Sequence, residues 1–238
     1  MLDNISLENI LFLDIETVPE ADSFENVPDE IKKLWEKKAA HIKKENETAP
    51  DAYRHAGIYA EFGKIICIGV GFISGKKNNR AMRIKAFSGN DEKKLLIEFS
   101  DMVRKFFTGA NKFLCAHNGK EFDYPFIARR MLINGIPLPA ALDTAGKKPW
   151  EVQHLDTLEL WKFGDYKSYT SLNLLAAVFK IPTPKDDIDG SMVNEVYWKQ
   201  HDLERIVRYC RKDVLTVAQL VLCFKGEPLL ADADVQMI

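Results

Sequence analysis

Apolar and polar positions along this chain sort into runs, alternations and helical stripes. Ile10-Leu11-Phe12-Leu13 is an apolar run that reads as a buried strand, carried on by Ile15 to residue 16. A polar segment then fills residues 19–60, where Pro28-Asp29-Glu30 opens a helix. That helix carries Ile31, Leu34, Trp35 and Ile42 on one side and Lys32, Lys33, Lys37, Lys38, Lys43 and Lys44 on the other. A second strand follows from Lys64 to Ile73, a turn at Gly75 to Asn79, and a third strand from Ala81 to Phe87. The short link makes the last two an antiparallel hairpin. Helical periodicity runs from Asp91 to Phe107, with Leu95, Leu96, Phe99, Met102, Val103 and Phe106 on one side. Phe113 to His117 is a fourth strand, and a helix from about Asp123 closes at Gly135. Gln153 to Leu158 reads as a fifth strand, Ser171 to Lys180 as a helix stopped before Pro182, and Asp202 to Phe224 as a final long helix. A meander followed by alternating helices and strands implies an α/β fold with a five-stranded mixed sheet flanked by helices. No repeat or Pro/Gly/Ser linker divides the chain, so residues 1–238 are expected to form a single domain with a helical insertion at about 19–60.

Composition narrows the function classes. With 46% hydrophobic residues in 238, the chain can bury a sizeable core. The formal net charge of -2 supplies no global basic field, so any polyanionic partner must be met by local patches. Cys67, Cys115, Cys210 and Cys223 show no C-x-x-C spacing, which disfavours structural zinc and suits a reducing compartment. No stretch approaches the ~18 apolar residues of a membrane span. Met1-Leu2-Asp3-Asn4 lacks the basic and apolar regions of a secretion signal, so a cytoplasmic location is expected.

Candidate chemistry begins at the end of the first strand. Asp14 and Glu16 lie two residues apart, so they project from the same face. At ~5 Å and an effective dielectric of ~20, two such charges repel by about 3 kcal/mol. A hard divalent cation between them would offset that, with Mg²⁺ the default. A second group, Asn118-Gly119-Lys120-Glu121-Phe122-Asp123, follows the fourth strand and precedes a helix, where α/β sheets tend to bind ligands. Asp123 could also be a plain helix cap. A third, Tyr209-Cys210-Arg211-Lys212-Asp213, lies in the last helix, where a spacing of four puts Tyr209 and Asp213 on one face with Ile206 and Val217. A carboxylate on such an apolar face needs an ion-pair partner or a metal. Four acids and one phenol are what two-metal phosphoryl chemistry requires, the phenol orienting or deprotonating the attacking water.

These motifs resemble those of the DEDD superfamily of 3′-5′ exonucleases, in its tyrosine-bearing subgroup. Asp14-Ile15-Glu16-Thr17 is similar to the first motif, Asn118 through Phe122-Asp123 to the second, and Tyr209-x-x-x-Asp213 to the third. The Tyr-Cys-x-x-Asp form, and Ser168-Tyr169-Thr170-Ser171-Leu172-Asn173 between motifs two and three, resemble the proofreading domain of family B DNA polymerases and the stand-alone exonucleases related to it. The resemblance covers about residues 10–224. It implies an RNase H-like fold and two Mg²⁺ or Mn²⁺ ions. By carry-over, Asp14 would bridge both metals, Glu16 and Asp213 would hold the one that activates water, Asp123 would bind the second, and Tyr209 would orient the nucleophile. The implied substrate is nucleic acid with a free 3′ end, DNA before RNA, and the implied product a nucleoside 5′-monophosphate. Only 25 residues follow Asp213, too few for polymerase domains, so a free-standing nuclease is expected.

Thr17, Asn118, Phe122, Lys120 and Arg129 are the candidate nucleic-acid contacts, with Arg130, Lys180 and Lys185 as further candidate phosphate ligands. The lysine-rich face of the insertion is either a solvated surface or a lid over a strand. His117 and Asp156 are read as structural residues, and Asp232-Ala233-Asp234 as a solvated terminus. The alternatives are an exoribonuclease and a non-catalytic module docked on a polymerase or repair assembly. Such a module should have lost an acid, and none is missing.

Overall fold

A computed structural model describes residues 2–75, 79–165, 167, 169–182 and 188–238. The middle of the turn after residue 75, Ser168 and Lys185 therefore lie outside the described residues. The strands are β1 (Ile10–Pro19), β2 (Gly63–Ser74), β3 (Ala81–Ser88), β4 (Phe113–Ala116), β5 (Leu155–Asp156) and β6 (Val235–Met237). The helices are α1 (Asp29–Ile42), α2 (Ala49–Ala52), α3 (Glu92–Phe106), α4 (Asp123–Ile133), α5 (Thr157–Lys162), α6 (Leu172–Val178), α7 (Val193–Trp198) and α8 (Leu203–Phe224). They build a mixed sheet in the order β5-β4-β1-β2-β3-β6. β1 is antiparallel to β2 and parallel to β4. Among the described residues no helix is long and apolar enough to cross a membrane.

Alternation along β1 decides which helices cover which face. Leu11, Leu13 and Ile15 pack with Phe99 and Val103 of α3 and Phe126 and Ile127 of α4. Ile10 and Phe12 point the other way, onto Val214, Val217 and Val221 of α8. Asp14 and Glu16 continue that second row, so they face α8.

Among the described residues the sheet has six strands, not the expected five. The sixth comes from the tail, where Val235, Gln236 and Met237 pair in parallel with Met82, Arg83 and Ile84 of β3. The otherwise open edge of β3 recruits it. Three residues are too few to show a strand period, so no local pattern announces β6, while Asp232-Ala233-Asp234 just before it are exposed, as expected. The expected fifth strand is also cut short. Asp156 accepts the backbone N–H groups of Leu158 and Glu159, which caps α5 and turns Thr157 onward into helix.

The segment between β1 and β2 has a small core of its own. Trp35 meets Tyr53 and Phe62 edge-on at 5.6 and 5.2 Å, and its indole N–H donates to the Ala49 carbonyl. The buried stripe of α1 is Trp35 and Ala39, while Leu34 and Ile42 are exposed, against the expected apolar side. One turn of spacing selects the narrower stripe. A buried ion pair ties this segment to the sheet. The Arg130 guanidinium donates to Glu92 at 2.5 and 2.8 Å and to the Ala60 carbonyl at 2.9 Å, and Glu92 also accepts Ile65 N–H.

Candidate active site

The approach of α8 to β1 is set by a glycine. Asp14 sits opposite Gly69 and Glu16 opposite Cys67 in the β1–β2 ladder. A Cβ at Gly69 would lie 2.8 Å from Val214 Cγ2 and 2.9 Å from Cys210 Sγ. Its absence lets α8 settle onto the strand and carry Tyr209 and Asp213 over Asp14 and Glu16. The register slips between Glu16 and Thr17, a bulge of the kind that re-aims side chains beside a site.

Asp123 arrives from the other neighbour of β1. After β4 the chain turns sharply at Asn118, whose φ of +63° is one that Asn tolerates better than most residues. The buried Asp156 carboxylate accepts the backbone N–H groups of Asn118 and Lys120 at 2.9 and 3.0 Å and so pins the turn. Asp123 then opens α4, buried, and accepts the Ile15 N–H from β1. His117 is held between the Thr157 hydroxyl and the Thr170 carbonyl, both at 2.9 Å, and burial pushes its pKa down. It is thus a neutral brace on the cleft wall.

The electrostatics are those of an uncompensated acid cluster. Ligand atoms of Asp14, Glu16 and Cys210 lie within 4.8 Å of one another. Burial, followed by the charges of Glu16, Asp213 and Asp123, holds Asp14 well above the usual carboxylate range. Burial and then Asp213 do the same to Glu16. Asp123 is pushed up to about 7, chiefly by burial. Asp14 Oδ2 is buried with no hydrogen-bond partner. The cluster therefore fits divalent cations: hard oxygen donors converge, one is orphaned, and each resists ionising without positive charge beside it. The Cys210 thiol, raised by burial, stays protonated and donates weakly to the Asp14 carbonyl at 3.5 Å. Tyr209 is hydrogen-bonded to Asp213, and burial and that carboxylate raise its pKa far above the phenol's ordinary value. A phenol in that state donates and orients.

The acids line a cleft of about 810 Å³, the size of a ligand site. Thr17, Asn118, Phe122 and Tyr209 line it with them. Lys120 and Arg129 do not: the Lys120 ammonium is paired with Glu159 at 2.5 Å, and Arg129 is exposed elsewhere on α4. Arg130 is buried against Glu92, which removes it as a phosphate ligand. Sequence reasoning missed the outer walls. One is Arg54, His55 and Ile58, in a 3-10 turn at Tyr53–Ile58; the other is Trp198 and Lys199 at the end of α7. The available signal was Gly57. A Cβ there would lie 2.9 Å from the Val18 backbone carbon, so glycine alone lets that turn press on β1 beside the acids.

The model of the RNase_H superfamily family RNase_H_2 matches residues 55–223 of this chain. A similar solved structure is that of the family B DNA polymerase from the hyperthermophilic archaeon Pyrobaculum calidifontis. It aligns with a TM-score of 0.52 and 17% identity over 90% of this chain, which spans 24% of that polymerase chain. No curated protein matches the sequence.

Proposed function

The chain belongs to the RNase_H superfamily, and from there we propose that it is a metal-dependent 3′-5′ exonuclease acting on unpaired DNA ends. The observation that carries this reading is the convergence of Asp14, Glu16, Asp123 and Asp213 with Tyr209 in one cleft. The orphaned Asp14 oxygen and the raised carboxyl pKa values support a cationic occupant. Asp14, Glu16, Asp123 and Asp213 would hold two Mg²⁺ or Mn²⁺ ions. When bound, such cations stabilise the charge that grows on the phosphate oxygens during hydrolysis.

The remaining roles belong to the side chains. Tyr209, held by Asp213, donates its hydroxyl hydrogen and fixes the orientation of an attacking water. Phe122, Ile58 and Tyr169 offer apolar faces to the terminal bases, at ~1–3 kcal/mol per stacked base for an aromatic face. Stacking of that kind needs bases released from pairing, which favours a single-stranded end. Thr17 and Asn118 can hydrogen-bond the terminal nucleotide. The order of DNA before RNA rests on the likeness to the polymerase and on the motif resemblance.

Digestion of 5′-labelled single-stranded DNA, duplex DNA and RNA under Mg²⁺ or Mn²⁺ titration tests the proposal. A ladder growing from the 3′ end is expected on single-stranded DNA, abolished by Asp14→Ala and by Asp213→Ala. Faster shortening of RNA would transfer the reading to an exoribonuclease. Intact DNA and RNA across the titration would sink it.

A further inference from the structure

The described lining of the cleft carries more acid than base and so repels a polyanion. Among the described residues six carboxylates line it: Asp14, Glu16, Asp22, Asp123, Glu195 and Asp213. Among the described lining residues the two permanent cations are paired, Arg54 with Glu47 and Lys199 with Glu195 at 4.0 Å. Bound cations would serve the reacting phosphate, but the next phosphates of a strand need positive charge outside the cleft.

A neighbouring recess of about 330 Å³ has the complementary character. Among the described residues it is lined by Lys64, Asn90, Tyr197, Trp198, His201 and Leu203, none of them acidic. Trp198 lines both spaces, so the two adjoin at that residue. Its position is fixed, because its indole N–H donates to the Pro19 carbonyl at 3.3 Å, at the end of the strand that carries Asp14. Tyr197 is fixed as well, by its hydroxyl on Asn90 at 2.9 Å and by an edge-on contact with Trp198 at 4.9 Å. The Lys64 ammonium lies 4.6 Å from the Trp198 ring centre and 5.4 Å from that of Tyr197. Both rings have their polar ends satisfied by protein and share a cation, with a second basic side chain, His201, on the rim. A cation set on anchored aromatic faces is how sequence-tolerant single-strand sites are built.

We propose that this recess is a second nucleic-acid site, which grips the strand one or a few nucleotides upstream of the scissile bond. The strand leaves the cleft over Trp198, sets a phosphate between Lys64 and His201, and lays a base against the half-buried Trp198 ring, which the buried Tyr197 backs. The direction of the strand rests on the exonuclease reading; the binding itself does not.

The test measures binding of 5′-fluorescein-labelled (dT)8 and (dT)2 by anisotropy in EDTA, with no turnover, across a salt series. The parent should bind the octamer more tightly than the dimer. Lys64→Gln should weaken the octamer about fivefold and lower the salt slope by ~0.7, the value for one lost single-strand phosphate contact. Its dimer affinity should not change, and Lys64→Arg should restore the octamer. His201→Gln should weaken the octamer in the same selective way. A Lys64→Gln variant with the parent's octamer affinity and salt slope overturns the site, and so does equal weakening of dimer and octamer. An octamer that binds as described but survives later Mg²⁺ and Mn²⁺ addition would refute the exonuclease reading and leave the site standing.

Discussion

Replacing Asp123 by Asn should make the metal-free protein more stable, and increasingly so as pH rises. Asp123 is buried at the start of α4, and its pKa stands at about 7 against an ordinary aspartate value of 3.8. Burial is the main cause, with the Asp156 and Asp213 charges adding to it and N–H donors partly offsetting it. A carboxyl raised on folding makes the folded state the better proton binder, so stability falls as pH climbs from the unfolded pKa to the folded one. The gap from 3.8 to about 7 amounts to ~4 kcal/mol at ~1.4 kcal/mol per pH unit. Asp14 and Glu16 compete for the same protons, and an amide gives up ~0.5 kcal/mol of interaction with the helix N-terminus, so about 2 kcal/mol is expected. In a chain of this size that is a rise of roughly 4–8 °C in Tm. Unfolding would be followed in EDTA at pH 4, 5, 6, 7 and 8. The advantage of Asp123→Asn should be near zero at pH 4, grow through pH 7 and level off above it. Saturating Mn²⁺ should reverse the order, because a cation that binds only the folded parent stabilises it by ~2.7 kcal/mol at 100 times its Kd. An advantage that is the same at pH 4 and pH 8, or a variant less stable than the parent at pH 8 without metal, would refute the reasoning.

Tyr209→Phe should fold normally and slow cleavage by about 10- to 100-fold, the worth of one hydrogen bond to a charged partner; single-turnover rates check this, and a fall beyond ~10² would make the phenol a base. Arg130→Ala should cost ~3–5 kcal/mol in urea unfolding by stranding the buried Glu92 carboxylate, and a loss under about 1 kcal/mol would mean that water reaches the pair. Gly69→Ala should cost ~1–3 kcal/mol by overpacking against Val214 and Cys210. Because the added methyl lifts α8 from β1, Gly69→Ala should also weaken Mn²⁺ binding in calorimetry, and unchanged metal affinity would show that α8 tolerates the methyl in place.

What the sequence made legible follows from how far apart the cause and the effect lie along the chain. The first four strands are visible because each is a run whose own residues bury both faces or alternate between them. β1 spells out its site as well, since the spacing of Asp14 and Glu16 fixes their common face without reference to anything else. The same holds for Tyr209 and Asp213 on α8. Other features depend on partners far away in sequence. β6 exists because β3 has a free edge, and β5 ends early because Asp156 spends its carboxylate on α5 and on the Asn118 turn. Neither fact is written in the local pattern.

The pair Arg129 and Arg130 shows the same limit at the scale of one residue. Both looked like phosphate ligands, being cations just beyond the second acidic motif. On a helix they point about 100° apart, so at most one can face the core. The one that does is Arg130, and it can only because Glu92, 38 residues earlier, supplies a carboxylate to receive it. Glu92 is itself the first residue of α3, where periodicity assigns it no role. The ion pair fastens the Ala60 carbonyl, and with it the segment whose Arg54 and Ile58 wall the cleft. A charge that resembled substrate-binding chemistry therefore acts one step back. It holds in place the wall that a substrate would meet, and removing it should loosen the cleft without touching any of the four acids.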